Sequence, residues 1–445
     1  VAAIRIAGPD SLPILQSLFQ ARGQAGSFQP FLLRYGVLQA RNGMLLDEVT
    51  AVYMPEGQSY TGLEQAEIFC HGGRQIVRTI LEEILKSGAR SAEPGEFTKL
   101  AFLNGRIDLT KAEAVAEIIA ANTAHSYEAS RDHLLGGYAK ELERLRQAII
   151  DVRAEVEASI DFIEEDIDPA ESQKLIEPIT RLISDIENLL ATYQGGRIIN
   201  EGFKIVIGGR PNAGKSSLFN LLLRQERALV NPAPGTTRDY LSEWIDLDGF
   251  KVDLIDTAGL RISSDEVEQE GQNRARLIMK SANLILWLVD LTEIGWEEQL
   301  AGDLAPLSGT NIMLLGNKID IFDGDTEPYH LLATLKVAPL TASPSISCKS
   351  GQGLAELKQR LIMIINRKVP DLTSGVIVTS ARHQEKLAAA RDAVKEAGSR
   401  LRDAESPEII AFELRRATDA LDEITGRIYT EDVLGRIFSS FCIGK

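Results

Sequence analysis

Gly209-Arg210-Pro211-Asn212-Ala213-Gly214-Lys215-Ser216 lies between an apolar run, Phe203-Lys204-Ile205-Val206-Ile207-Gly208, and a helix-like run, Ser217-Leu218-Phe219-Asn220-Leu221-Leu222. Strand, glycine loop and helix, in that order, turn a G-x-x-x-x-G-K-S match into a phosphate cradle. The glycines let backbone N–H groups turn inward and approach an anion closely. The N-terminus of the following helix adds the positive end of its dipole. Lys215 would reach the β- and γ-phosphates, and Ser216 would ligate Mg²⁺. The plainer reading is an ordinary glycine turn. What lies downstream decides between them.

Four more stretches follow in an order that makes sense only together. Gly235-Thr236-Thr237-Arg238-Asp239 lies after the first helix, where a threonine can reach Mg²⁺ and sense the γ-phosphate. Asp256-Thr257-Ala258-Gly259 ends a strand; Asp256 can hold the Mg²⁺ shell through water, and the Gly259 N–H can bond the γ-phosphate. Asn317-Lys318-Ile319-Asp320 ends the fourth strand of this part. Asp320 can accept guanine N1–H and its exocyclic NH₂ together, a contact adenine cannot make. The Lys318 stem can lie on the base plane. Ser347-Cys348-Lys349 ends the fifth strand, where backbone N–H groups can meet guanine O6. The five together read as a guanine-nucleotide-binding domain, and Asp320 disfavours an ATPase. Hydrolysis is less ordinary. After Asp-x-x-Gly stands Leu260, which cannot orient water as a glutamine would. Arg238 and Arg261 are unsupported candidates for an arginine finger. The run Ser263-Ser264-Asp265-Glu266-Val267-Glu268-Gln269-Glu270 offers carboxylates, though it also reads as a solvated acidic loop opening a helix.

The rest of the chain sets bounds. Its 445 residues predict two to three domains, and 25% charged with 44% hydrophobic residues fit a soluble globular protein. No apolar run reaches transmembrane length, and no signal-peptide pattern is present, so no membrane role is expected. Three distant cysteines, Cys70, Cys348 and Cys442, make no disulfide framework and suit a reducing cytoplasm. The net charge of −16 repels phosphates, so any nucleic-acid contact needs a local basic patch or a basic partner.

Residues 1–103 read as a mixed α/β domain. Expected strands are Val1–Ile6, Leu46–Met54 and the run around Ala66–Cys70; Pro94–Thr98 reads as a polar loop. His71 beside Gly72-Gly73 lacks ligand partners at useful spacing, so a structural role is favoured over a metal. Glu67 sits in an apolar run: it is either the exposed face of an edge strand, which spacing favours, or a buried recognition carboxylate. From Leu103 to Tyr193 apolar positions recur at three- and four-residue steps. Leu134 through Ile163 reads as one long helix, and the next helix is expected to stop at Gly195-Gly196. Residues 202–368 alternate strand and helix, which predicts a parallel sheet. Helical patterning returns from Ser380. The predicted architecture is an α/β P-loop GTPase domain (202–368) inserted into a discontinuous α-helical domain (104–201 and 369–445), after an N-terminal domain.

At this point the chain resembles the MnmE (TrmE) family of tRNA-modification GTPases, essentially end to end. The segments that carry the resemblance are Ser59–Gly62, Cys70-His71-Gly72-Gly73, Pro94-Gly95-Glu96-Phe97-Thr98, Ala101–Gly105, Lys111-Ala112-Glu113-Ala114-Val115, the five nucleotide motifs and the terminal Cys442-Ile443-Gly444-Lys445. The resemblance implies an N-terminal α+β domain that dimerises and binds a tetrahydrofolate derivative, 5-formyl or methylene. It implies an FAD-dependent partner, MnmG (GidA), and addition of an aminomethyl or carboxymethylaminomethyl group at C5 of a tRNA wobble uridine. It places folate contacts at Arg5, Glu67, Arg106 and Lys445, against the spacing-based reading of Glu67. It places K⁺, in the role of an arginine finger, at Asn212, Asn231, Ala233 and Thr236, inside the loop Asn231-Pro232-Ala233-Pro234-Gly235-Thr236-Thr237. It gives Glu268 the water-orienting role, with Lys215 and Thr237 beside it, and Ser217 extends the phosphate contacts. Cys442 stands between tail chemistry and tail recognition. Rival readings are a GTPase switch in ribosome assembly, which shares the Gly-Arg-Pro-Asn loop but not the N-terminal domain or the tail, and a folate enzyme regulated by GTP.

Overall fold

The computed structural model describes residues 1–22, 27–161, 169–226, 242–256, 276–322, 345–369, 376–441 and 444. They fall into two compact units, one of 1–119, 131–183 and 386–445, the other of 120–130 and 184–385.

The first unit opens with β1 (Ala2–Ala7), α1 (Ser11–Leu18), β2 (Phe19–Ala21), β3 (Arg34–Gln39), β4 (Leu45–Met54), β5 (Gln65–Cys70) and α2 (Arg74–Lys86). The strands form one antiparallel sheet in the order β1-β5-β4-β3-β2. Side chains alternate across it, so Ile4, Ile6, Val49, Ala51, Ala66 and Ile68 enter one core with Leu15 and Leu18 of α1 and Ile80 and Ile84 of α2. Each fully buried Leu or Ile contributes about 1.5–3 kcal/mol. β5 is paired on both sides, which rules out an edge strand at Glu67. Pro94–Thr98 is not all loop. Gly95, at φ +67°, caps α3 (Glu96–Leu103).

Next come α4 (Leu109–Ala120), α5 (Ala124–Leu135), α6 (Gly137–Asp161) and α7 (Pro169–Ala191). The expected single helix from Leu134 is two, because Gly136 turns the chain at φ +86°. The helix expected to end at Gly195-Gly196 ends earlier, and α8 (Tyr193–Glu201) runs through both glycines. Gly196 serves close approach instead: a Cβ there would lie 2.1 Å from the Val378 carbonyl oxygen.

The second unit continues with β6 (Phe203–Gly209), α9 (Lys215–Glu226), β7 (Ser242–Leu247), β8 (Phe250–Asp256), β9 (Leu284–Asp290), α10 (Trp296–Leu304), β10 (Ile312–Asn317), β11 (Ser345–Ile346) and α11 (Leu354–Asn366). The sheet order is β11-β10-β9-β6-β8-β7. All pairs are parallel except β7–β8, an antiparallel hairpin at one edge that the alternation of strand and helix signals did not predict. Alternate residues of one strand feed opposite cores. Ile205 and Ile207 join α9 and α11, while Val206 joins Met279, Leu300 and Leu304. Burial on both faces is why these strands read as continuous apolar runs.

The chain returns through α12 (Ala381–Arg402), α13 (Pro407–Thr425) and α14 (Glu431–Ser439). α13 lies along α6, where Arg146 Nε donates to Asp422 Oδ1 at 2.6 Å. Leu434 and Phe438 of α14 pack with Phe441 on Phe102 and Leu109. A Cβ on Gly95 would lie 3.0 Å from Phe441, so Phe441 is seated beside the start of α3.

Candidate functional site

The β6–α9 loop takes its shape from two glycines. Gly209 has φ +135°, and a Cβ on it would lie 2.5 Å from the Leu288 carbonyl oxygen of β9. Gly214 has φ +103°, and its Cβ would lie 2.2 Å from Asn317 Nδ2. Asn212, without that licence, also has a positive φ of 65°. It is exposed, and its side chain makes no hydrogen bond among the described residues. Ala213 is buried. Lys215 Nζ donates to the carbonyl oxygens of Gly209 at 3.0 Å and Arg210 at 2.7 Å, which holds the ammonium inside the loop. Ser216 Oγ donates to Asp256 Oδ2 at 2.8 Å. Ser217 follows, exposed, in the first turn of α9.

The stretches expected to meet the base converge on the same loop. Asn317, 3% exposed, donates from Nδ2 to the Ala213 carbonyl oxygen at 2.7 Å and accepts the Cys348 N–H on Oδ1 at 3.1 Å. One side chain thus ties the phosphate loop to the Ser347–Lys349 stretch. Lys318, at φ +71°, pairs with Asp290 Oδ2 at 2.5 Å. Burial pushes the Asp290 carboxyl up, but hydrogen bonds from Lys318 and Thr292 outweigh it and hold it below the usual range. Asp320 and Lys349 are exposed. Ser347 is fully buried, and its Oγ accepts the Ser350 N–H at 3.1 Å, shaping the turn. Burial, and then the Asp320 charge, push the Cys348 thiol up to about 11, so it is a neutral wall of the site and no nucleophile. These groups gather at the carboxyl ends of β6, β8, β10 and β11, where open α/β sheets bind ligands.

Some predicted site residues lie outside the described residues: Asn231, Pro232, Ala233, Pro234, Gly235, Thr236, Thr237, Thr257, Ala258, Gly259, Glu268, Cys442 and Lys445. Sequence reading missed an anchor. Arg210 Nε and Nη2 grip Asp303 of α10 at 2.6 and 3.1 Å, and Nη1 reaches Gln299. Arg210 is therefore committed to bracing the loop.

A second polar cluster sits on the sheet of the first unit. Arg5 and Glu67 face each other in the β1–β5 register, and Arg5 Nε donates to Glu67 Oε1 at 2.7 Å. Gln65 Nε2 donates to the same oxygen at 3.0 Å, which leaves Oε2 without a partner among the described residues. The Arg5 guanidinium stands 5.5 Å from the ring centroids of both Tyr60 and Phe97. The Tyr60 hydroxyl meets Thr98 Oγ1 at 3.1 Å. Arg106 is set apart: its Nη1 donates to the Gly57 carbonyl oxygen at 3.0 Å and braces the turn that carries Tyr60. Glu67, with 18% of its side chain exposed, is thus held in an ion pair rather than lying on a solvated face. Gln65, Tyr60 and Phe97 were missed as members, although Tyr60 and Phe97 lie in stretches that mark the resemblance. His71 is structural by its contacts, since its Nδ1 and backbone N–H both meet the buried Asp47 carboxylate, at 2.8 and 2.9 Å. Among the described residues no group of three or more His, Cys, Asp or Glu is placed to hold a metal, and no helix is long and apolar enough to cross a membrane.

The comparisons with known proteins cover both units. A family model described as "MnmE helical domain" matches residues 109–442, and one described as "GTP-binding protein TrmE N-terminus" matches residues 1–106. The "tRNA modification GTPase MnmE" of Syntrophus aciditrophicus (strain SB) is 39% identical over 446 residues, which span 100% of this chain and 96% of that protein. The protein of the same description from Aquifex aeolicus (strain VF5) is 38% identical over 447 residues, with the same coverage of 100% and 96%. Among solved structures, the G domain of the T. maritima FeoB iron transporter is 26% identical, with a TM-score of 0.28 over 36% of this chain and 98% of that one.

Proposed function

The chain belongs to the MnmE family of tRNA-modification GTPases, and on that premise we propose that it is a K⁺-activated GTPase driving addition of an (carboxymethyl)aminomethyl group at C5 of the tRNA wobble uridine. Asn317 carries the reading, because one buried amide joins the loop that would hold phosphate to the stretch that would hold guanine. Lys215, now parked on two loop carbonyls, would exchange them for phosphate oxygens. Asp320 would accept the two guanine donors, with Lys318 along the base. Ser216 and Asp256 form an oxygen pair 2.8 Å apart, of the hard-donor kind that Mg²⁺ takes. Mg²⁺ would be held by Ser216, by Thr237 and, through water, by Asp256. The amide of Asn212 is exposed at the loop and suits K⁺, with Asn231, Ala233 and Thr236 as its other ligands. When bound, the two cations neutralise charge that develops on the transferring phosphoryl group. Glu268 would orient the attacking water.

The first unit would supply the one-carbon carrier. Arg5 and Gln65 fix Glu67 through Oε1, and the open Oε2 suits the N–H donors of a pterin. Arg106 and Lys445 would complete the folate contacts. On this reading residues 1–103 bind a tetrahydrofolate derivative and form a homodimer, 104–201 and 369–445 make the helical domain, and 202–368 make the GTPase domain. An FAD-dependent partner of the MnmG (GidA) kind would handle the redox chemistry, and the complex would work in the cytoplasm.

Mass analysis of tRNA nucleosides tests the function. A strain without the chain should lose the C5 group on wobble uridine. Wild type should restore it, and Glu268→Ala, which should bind GTP without turnover, should not. Identical nucleosides with and without the chain would refute the reading. The cation has its own assay: hydrolysis should run much faster in K⁺ than in Na⁺, and Asn212→Ala should bring the ratio close to one. Equal wild-type rates in the two salts would remove K⁺ from the mechanism.

A further inference from the structure

We propose that a cleft at the start of α4, the α5–α6 turn and the end of α13 binds RNA backbone phosphate, and that tRNA meets this acidic chain there. The proposal rests on tRNA being the substrate. A chain of net charge −16 repels a polyanion as a whole, so contact requires a local surplus of cations.

The cleft provides one. It encloses about 290 Å³ and is lined by Lys111, Lys140 and Arg427 against two carboxylates, Asp108 and Glu143. Both carboxylates are engaged. Asp108 Oδ1 accepts the Lys111 N–H at 2.8 Å and the Thr110 hydroxyl at 2.5 Å, and Glu143 Oε2 pairs with Arg427 at 2.8 Å. The ammonium groups of Lys111 and Lys140 make no hydrogen bond or ion pair among the described residues. Arginines elsewhere on the same unit carry local carboxylate partners, as in Arg78–Glu82, Arg144–Glu141 and Arg181–Glu177.

Two glycines build the place. A Cβ on Gly136 would lie 3.2 Å from Lys111 Cε, so its absence lets the lysine stem cross the α5–α6 turn. Gly426, at φ +81°, would meet Phe102 and Leu109 at 2.7 and 2.8 Å if it bore a Cβ, and it fixes the chain that carries Arg427. Lys111 opens the Lys111–Val115 stretch, and neither GTP hydrolysis nor folate binding uses it. The lining has no aromatic ring on which a base could stack. A phosphodiester fits this chemistry, and such a contact positions RNA without reading its sequence.

Salt titration of tRNA binding by the full chain is the test. The variant Lys111→Glu/Lys140→Glu should bind at least ~10-fold more weakly. Its plot of log affinity against log salt should flatten by about 1.4–1.8, at ~0.7–0.9 per lost phosphate contact. The neutral pair Lys111→Gln/Lys140→Gln should show the flatter slope with a smaller loss. Lys174→Glu/Lys280→Glu, the same change in net charge at two other exposed lysines, should stay within ~2-fold of wild type. GTP hydrolysis without RNA should be unchanged in all three variants, which also reports folding. Wild-type slope in the cleft variants would overturn the proposal, as would equal loss in the control pair. Loss of a protein partner with the RNA slope intact would overturn it too and assign the cleft to an acidic protein. If wild type binds no tRNA the cleft proposal falls, and the nucleoside analysis separately decides the functional reading.

Discussion

Asp320→Asn lowers GTP affinity by about three orders of magnitude and raises affinity for xanthosine triphosphate. Guanine offers two donors, N1–H and the exocyclic NH₂, to one carboxylate. Each hydrogen bond to a charged group is worth about 1.5–3 kcal/mol; asparagine weakens one and sets a donor against a donor at the other, which together remove about 3–6 kcal/mol, or roughly 10²- to 10⁴-fold. An asparagine amide brings one acceptor and one donor. It mismatches guanine and matches a base with a carbonyl where guanine has its NH₂. Asp320 is exposed and packs into no core, so the fold should not change. Competition titration with GTP, ATP and xanthosine triphosphate reads the outcome. Unaltered GTP affinity would remove Asp320 from base recognition.

Asn317→Ala should weaken GTP and GDP by about 100-fold for a different reason. Its amide touches the loop on one side through a buried bond and the Ser347–Lys349 stretch on the other through a half-buried one. Truncation leaves the Ala213 carbonyl oxygen and the Cys348 N–H without partners, at about 1–3 kcal/mol each. It also opens space beside Gly214, where a Cβ would lie 2.2 Å from that amide nitrogen. Phosphate and base contacts should therefore weaken together. Titration with a fluorescent GDP and with inorganic pyrophosphate separates the cases. A variant that loses only base affinity would show that the bridge does not govern the loop.

Local patterns carried the nucleotide half of the fold. β6, β9 and β10 are buried on both faces, so their sequences are mostly apolar runs (Lys204 near the start of β6 is the polar exception), and the functional motifs begin where those runs stop. Residues whose meaning depends on a distant partner were less legible. Glu67 reads as a solvated position until Arg5, 62 residues earlier, is seen opposite it. Gly196 looks like a helix stop until the Val378 carbonyl oxygen is seen to occupy the space of its missing side chain. Arg210 looks like filler until Asp303, 93 residues on, is found holding it. The β7 segment, Ser-Glu-Trp-Ile-Asp-Leu, carries a half-polar edge pattern that an expectation of parallel strands passes over.

The antiparallel pair β7–β8 has a mechanical meaning. Ser242 begins β7 directly opposite Ile255, one residue before β8 ends at Asp256. The stretches 227–241 and 257–275, which hold the threonines of the second motif and the proposed water-orienting glutamate, are therefore tethered to a single seam. On the proposed reading, both stretches would join the sheet at one hydrogen-bonded pair, whose last residue, Asp256, is the carboxylate offered to Mg²⁺.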